Sequence, residues 1–236
     1  MSGRGSRSEL DFWWRLGLAA VGLTFRLCFR TRHAAVERVP ERGAAILAAN
    51  HVSALDGLFL GWIVGTRRRR PTRFLSGVEF FRRPVIGFWL RAFGQIPIHR
   101  GAGDRRALEE AAATVRSGAL AGIFPEGRVN PGEELQRGRS GAARIALAAG
   151  APVIPVGLWG TQVRWPRDGL TFRRPFRPRI AISFGDPIEP RGDVGSFSDI
   201  QAFTRVVMAA IAEQVERARV LAGDPIVIGR SQETGP

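Results

Sequence analysis

Asn50-His51-Val52-Ser53-Ala54-Leu55-Asp56 places an imidazole and a carboxylate five positions apart, directly after the apolar run Ala44 to Ala49. The chain has only three histidines. A carboxylate beside an imidazole fixes its tautomer and leaves the other ring nitrogen to take a proton, which is the working part of a general base. At about 100° per residue, positions five apart lie about 140° apart around one helix. His51 therefore belongs in the turn before a helix, with Asp56 reaching back to it from the first turn. The same letters also suit helix capping, with Asn50 or Ser53 satisfying free backbone donors, so the heptapeptide alone leaves both readings open.

Three further stretches fall where apolar strands give way to loops, the usual place for sites in open α/β sheets. In Gly94-Gln95-Ile96-Pro97-Ile98-His99-Arg100 the guanidinium of Arg100 could hold a phosphate bidentately. A surface arginine in an arginine-rich chain reads the same way, and His99 has no assigned role. In Phe124-Pro125-Glu126-Gly127-Arg128 proline fixes the chain and glycine permits a tight turn. That turn projects Glu126 toward a substrate hydroxyl and Arg128 toward a phosphate, or leaves both in solvent. Pro152-Val153-Ile154-Pro155-Val156-Gly157 has no ionisable group. It reads as a core strand whose proline marks an edge or bulge, or as the wall of an acyl-chain pocket.

The elements that must position these groups are set by composition and pattern. A chain of 236 residues with 44% hydrophobic content can bury a sizeable core. Its one cysteine, Cys28, excludes an intrachain disulfide and a thiolate zinc cluster, and fits a reducing compartment. No small-residue cleavage site follows a clean apolar core, so no cleaved signal peptide is expected. The formal net charge is +14, carried entirely by arginine; there is no lysine and no tyrosine. Such a surface attracts polyanions. Nucleic-acid binders interleave bases and aromatics on a polar face, whereas here Phe12, Trp13, Trp14, Phe25 and Phe29, and then Phe80, Phe81, Phe88, Trp89 and Phe93, sit in apolar segments. No helix-turn-helix, zinc-finger or RRM pattern is present. The pattern favours an anionic membrane surface and argues against nucleic acid.

Residues 1–9 read as a disordered tail. Residues 10–31 read as an amphipathic helix, with Arg15 and Arg26 eleven apart on one face. Mid-span arginines make a spanning helix a poor fit, so this helix is expected to lie in the headgroup region. A short spanning helix and a helix packed on the domain's own core stay open. Arg32–Arg42 reads as a polar connection. Strands are expected at 44–49, 72–76, 95–98, 119–124, 153–158 and, as an edge strand, 179–184. Helices are expected from the Asp56 region to Gly65, at 84–93, at 104–117 with Asp104 as N-cap, at 138–149 and at 198–221. The run Arg67 to Arg70 reads as a solvated helix end or loop. Alternating strands and helices indicate an α/β fold with a mixed, largely parallel sheet flanked by helices. The expected body spans 32–222, followed by a flexible tail at 223–236.

Taken together and in order, the four stretches resemble the blocks of the glycerolipid acyltransferases, specifically the bacterial 1-acyl-sn-glycerol-3-phosphate acyltransferases. Those blocks are N-H-x-x-x-x-D, G-x-I-x-I-x-R, F-P-E-G-T-R-S and V-I-P-V. The resemblance covers roughly Gly43 to Pro190. It implies His51 as general base and Asp56 as its orienting carboxylate, with Asn50 and Ser53 in the binding set. It implies Arg100 at the acceptor phosphate and Glu126-Gly127 in the acceptor site. Arg128, Val129 and Asn130 depart from the usual T-R-S, so Arg128 is assigned the displaced guanidinium. The implied reaction moves an acyl group from acyl-CoA or acyl-carrier protein to the sn-2 hydroxyl of 1-acyl-sn-glycerol 3-phosphate. No cofactor or metal is implied, and the expected location is the inner face of the cytoplasmic membrane. Two alternatives remain: the same chemistry on another lysophospholipid or a lyso-aminolipid, and a peripheral membrane-binding protein without catalysis.

Overall fold

A computed structural model describes residues 12–99, 105–130, 134–166, 169–171 and 175–224. Arg100, Asp104, the 1–9 tail and residues 225–236 lie outside the described residues. Seven strands form one sheet: β1 (Arg30–Ala34), β2 (Ala45–Ala49), β3 (Thr72–Gly77), β4 (Ile96–Ile98), β5 (Leu120–Ile123), β6 (Val153–Trp159) and β7 (Arg179–Phe184). Their spatial order is β1-β7-β6-β2-β5-β3-β4. Each neighbouring pair is parallel except β6–β7.

Period-two alternation sends the side chains of the central strands to two different cores. Ala45, Leu47 and Ala49 of β2 face a core shared with α1 (Phe12–Cys28) and α2 (Asp56–Arg67), whereas Ile46 and Ala48 face α5 (Arg105–Arg116), α6 (Gly141–Ala149) and α7 (Phe197–Ala222). Between β3 and β4 lie two shorter helices, α3 (Val78–Phe81) and α4 (Pro84–Ala92), the latter opening with its proline at the first position as expected. The Cα-to-backbone approach of α7 onto β6 requires a glycine: a Cβ on Gly157 would fall 2.0 Å from the Gln214 carbonyl carbon.

Several expectations change. Residues 30–34, read as helix end and polar connection, form β1, which pairs with β7 from Arg30↔Arg179 to Ala34↔Ser183. β7 is therefore an interior strand, and β1 takes the edge. Nor is β6 an edge: Pro155 lies between β2 and β7, where the β7 ladder begins at Val156↔Phe184, so its missing N–H costs no ladder bond there. The Arg67–Arg70 run is not wholly solvated. Arg70 is fully buried and donates to the carbonyls of Pro40 (2.9 Å), Gly118 (2.8 Å) and Gly43. Arg68 donates from Nε to Val39 O at 2.7 Å.

The N-terminal helix is packed on the fold along one side. Phe25 stacks on Phe59 at 3.7 Å, and Gly22 lets Trp62 approach. Its other side carries Phe12, Leu16, Leu23 and Leu27, all exposed and within about 60° of one another at helical spacing. No described helix is long and apolar enough to cross a membrane.

Candidate active site

β2 ends at Ala49, and Asp56 opens α2, so residues 50–55 form the turn that carries His51. Asp56 folds back as the spacing requires. Its Oδ2 accepts from the backbone N–H groups of Val52 (2.7 Å) and Ser53 (2.8 Å) and meets His51 Nδ1 at 2.9 Å. Its Oδ1 accepts from the Thr161 hydroxyl at 2.6 Å. The carboxylate is fully buried, whereas the His51 side chain keeps 15% of its surface exposed. A carboxylate with these donors can only accept, so Nδ1 carries the hydrogen and Nε2 carries the free lone pair. The imidazole stacks on Phe124 at 4.1 Å.

The turn that follows β5 grips the same histidine. Glu126 Oε1 accepts the His51 N–H at 2.8 Å, and the His51 carbonyl accepts from Asn130 N at 2.6 Å. Glu126 Oε2 accepts from Asn130 Nδ2 (3.0 Å) and Gln136 N (3.1 Å). Burial pushes the Glu126 carboxyl above the usual carboxylate range, partly offset by these donors. Glu126 thus ties the His51 turn, through Oε1, to Asn130 and Gln136, through Oε2.

Asn50 and Ser53, expected in the binding set, are instead committed to the frame. Asn50 pairs twice with the Leu158 backbone, donating to its carbonyl at 2.9 Å and accepting its N–H at 2.7 Å. Ser53 donates to the Trp165 carbonyl at 2.6 Å and accepts from Leu55 N at 3.1 Å. Arg128 is exposed, and its Nε reaches Gln136 Oε1 at 3.3 Å.

A cavity of about 1200 Å³ opens beside His51. Its apolar lining includes Trp14, Leu18 and Val21 from α1, Leu58 and Trp62 from α2, and Phe80, Leu90 and Phe93 from the α3–α4 region. Its polar lining includes Gly127, Arg139, Ser140 and Arg144. Arg128 is absent from this lining, and so is β6, which does not wall the cavity. Sequence reasoning missed Thr161, Asn130 and Arg139. The available signal for Thr161 was its place just past β6, on the same sheet edge as the end of β2, where α/β sheets collect functional groups.

A family profile described as Acyltransferase matches residues 30–159. A lyso-ornithine lipid O-acyltransferase of Pseudomonas aeruginosa is 32% identical over 165 residues, covering 70% of this chain and 57% of the relative. An uncharacterised protein of Mycobacterium tuberculosis is 34% identical over 153 residues, 60% of this chain and 40% of the relative. A 1-acyl-sn-glycerol-3-phosphate acyltransferase of Borreliella burgdorferi is 29% identical over 132 residues, covering 53% of this chain and 49% of the relative. The chain thus spans about 40–57% of the length of these relatives. The crystal structure of a Thermotoga maritima 1-acyl-sn-glycerophosphate acyltransferase shares the fold, with a TM-score of 0.67 at 23% identity, over 85% of this chain and 78% of that one. With the profile covering more than half of its 236 residues, and a histidine–aspartate pair held over an apolar cavity, this chain belongs to the acyltransferase family.

Proposed function

We propose that the protein transfers a fatty acyl group from acyl-CoA or acyl-carrier protein to the sn-2 hydroxyl of 1-acyl-sn-glycerol 3-phosphate, giving phosphatidic acid. The observation that carries this reading is the 2.9 Å His51–Asp56 contact, which holds Nε2 at the lining of an apolar cavity. The hydroxyl gives its proton to His51 Nε2 as its oxygen attacks the thioester carbonyl. Asp56 stabilises the imidazolium that forms. Collapse of the tetrahedral intermediate breaks the C–S bond, and the departing thiolate takes the proton back from His51. The acceptor oxygen is itself the nucleophile, so no acyl-enzyme is required.

The exposed Phe12–Leu27 stripe of α1 and the +14 charge support a peripheral seat on an anionic membrane, at the inner face of the cytoplasmic membrane, where the acceptor lies. His51→Ala is expected to lower thiol release from acyl-CoA with lysophosphatidic acid by about 10²–10⁴-fold with the unfolding midpoint retained; turnover near the wild-type rate would sink the mechanism.

A second acceptor class is favoured by one observation: Arg128, assigned the displaced guanidinium, lies outside the cavity lining. A lyso-aminolipid acceptor fits that, and one relative is named a lyso-ornithine lipid O-acyltransferase. A panel of lysolipids with one acyl-CoA separates the readings, because preference for a phosphate-free acceptor would replace lysophosphatidic acid.

A further inference from the structure

Five charged or titratable side chains line the cavity besides His51: His99, Arg105, Glu109, Arg139 and Arg144. Two of the three arginines are already engaged. Arg105 pairs with Glu109 at 3.0 Å, and Arg144 donates from Nε to Ser140 Oγ at 3.3 Å. The Arg139 side chain makes no hydrogen bond or ion pair with a described residue. Its backbone is nonetheless fixed, because Arg139 N donates to Pro125 O at 2.8 Å. Pro125 adjoins Glu126, whose Oε1 holds the His51 N–H. The guanidinium arm then runs across the Gly127 turn: a Cβ on Gly127 would lie 3.0 Å from Arg139 Nε and 3.1 Å from Cδ. Gly127 has φ +74°, so the turn suits glycine twice over, by backbone conformation and by the arm that crosses it.

We infer that Arg139 is a guanidinium that binds the phosphate monoester of the acyl acceptor, the task the sequence assigns to Arg100, which lies outside the described residues, and to Arg128, which lies outside the cavity lining. This rests on the proposed acyl transfer and adds the residue that selects an anionic acceptor. An arginine fork matches phosphate geometry bidentately. Because Arg139 and His51 are tied to the same Pro125–Glu126 segment, a phosphate held on the first presents the neighbouring glycerol hydroxyl to the second. A phosphate could also come from the CoA donor, and the test separates the two sources.

kcat/KM is measured for the wild type, Arg139→Ala and Arg139→Lys with lysophosphatidic acid and with phosphate-free monoacylglycerol at saturating acyl-CoA, and the KM for acyl-CoA is measured at saturating lysophosphatidic acid. Binding of lysophosphatidic acid is read in parallel from tryptophan fluorescence, since Trp14 and Trp62 line the cavity. Arg139→Ala is expected to lower the preference for lysophosphatidic acid over monoacylglycerol by about tenfold to a hundredfold, with Arg139→Lys between. Equal losses on both acceptors, or a rise confined to the KM for acyl-CoA, would overturn the assignment, as would unchanged affinity for lysophosphatidic acid. Wild-type protein that binds lysophosphatidic acid through Arg139 but turns over no thioester would leave the anion site standing and remove the acyl-transfer reading.

Discussion

Thr161 and Asp56 meet at 2.6 Å although neither sequence neighbourhood announces the other. Thr161→Val keeps the shape and removes the donor to a buried carboxylate oxygen. Urea unfolding is expected to report a loss of about 1–3 kcal/mol, with slower thiol release because Asp56 then holds His51 less firmly; an unchanged unfolding midpoint would show that the bond is not a support. Asp56→Asn puts an N–H₂ group among donors and removes the acceptor that fixes Nδ1–H. Thiol release should fall about 10³-fold or more, a drop that thiol assays at saturating substrates measure directly. Glu126 carries a pH signature. Burial raises its folded-state pKa above the usual 4.5, so the folded chain binds more protons than the unfolded chain just above that value. Its contribution to stability is complete below the unfolded value and declines as pH rises through the raised one. Unfolding free energies of the wild type minus those of Glu126→Gln should therefore slope downward with rising pH in that window; an upward slope would mean that the His51, Asn130 and Gln136 donors outweigh burial. At this scale the sequence marked His51, Asp56 and Glu126, because a charged group just past an apolar run is conspicuous. It could not mark Thr161 or Arg139, whose roles come only from what the fold sets beside them.

Among the elements, strands and helices with long apolar runs were legible to within a few residues. β1 was not, because Arg-Thr-Arg-His-Ala reads as polar connection, and its strand character is supplied by β7, about 150 positions downstream. Arg70 was misread for the same reason: its burial depends on three carbonyls from distant loops. Arg70→Met should leave those carbonyls unpaired and destabilise the chain by about 3 kcal/mol or more, measurable by denaturant titration. A two-sided N-terminal helix was also beyond pattern reading, since packed and exposed apolar faces look alike in a sequence. Its seat on α2 depends on small residues. A Cβ on Gly22 would meet Trp62 Nε1 at 2.7 Å, and one on Gly65 would meet Leu18 Cδ2 at 2.8 Å. Gly22→Leu should displace α1 from α2, lowering Tm by several degrees and shifting Trp62 emission; a spectrum and Tm like the wild type's would mean that the contact yields without cost.

Across the whole molecule, charge and exposed apolar surface point the same way. Val85 (72% exposed) on α4 joins Phe12 (68%), Leu23 (63%) and Leu27 (64%) on α1. Sedimentation with vesicles of anionic lipid should retain the chain and release it as salt rises. Leu23→Asp with Leu27→Asp should weaken that retention at every salt concentration; equal retention would assign the contact to arginines alone. The sheet order has one more consequence. Asn50 is fixed by Leu158, 108 positions later, and Asp56 by Thr161, 105 positions later. Since synthesis runs from the N-terminus, a ribosome-bound or prematurely ended chain stopping short of β6 holds His51 and Asp56 without the partners that set them. Under the proposed function, chemical competence then arrives only once β6 and Thr161 are in place, so unfinished chains would spend no acyl donor.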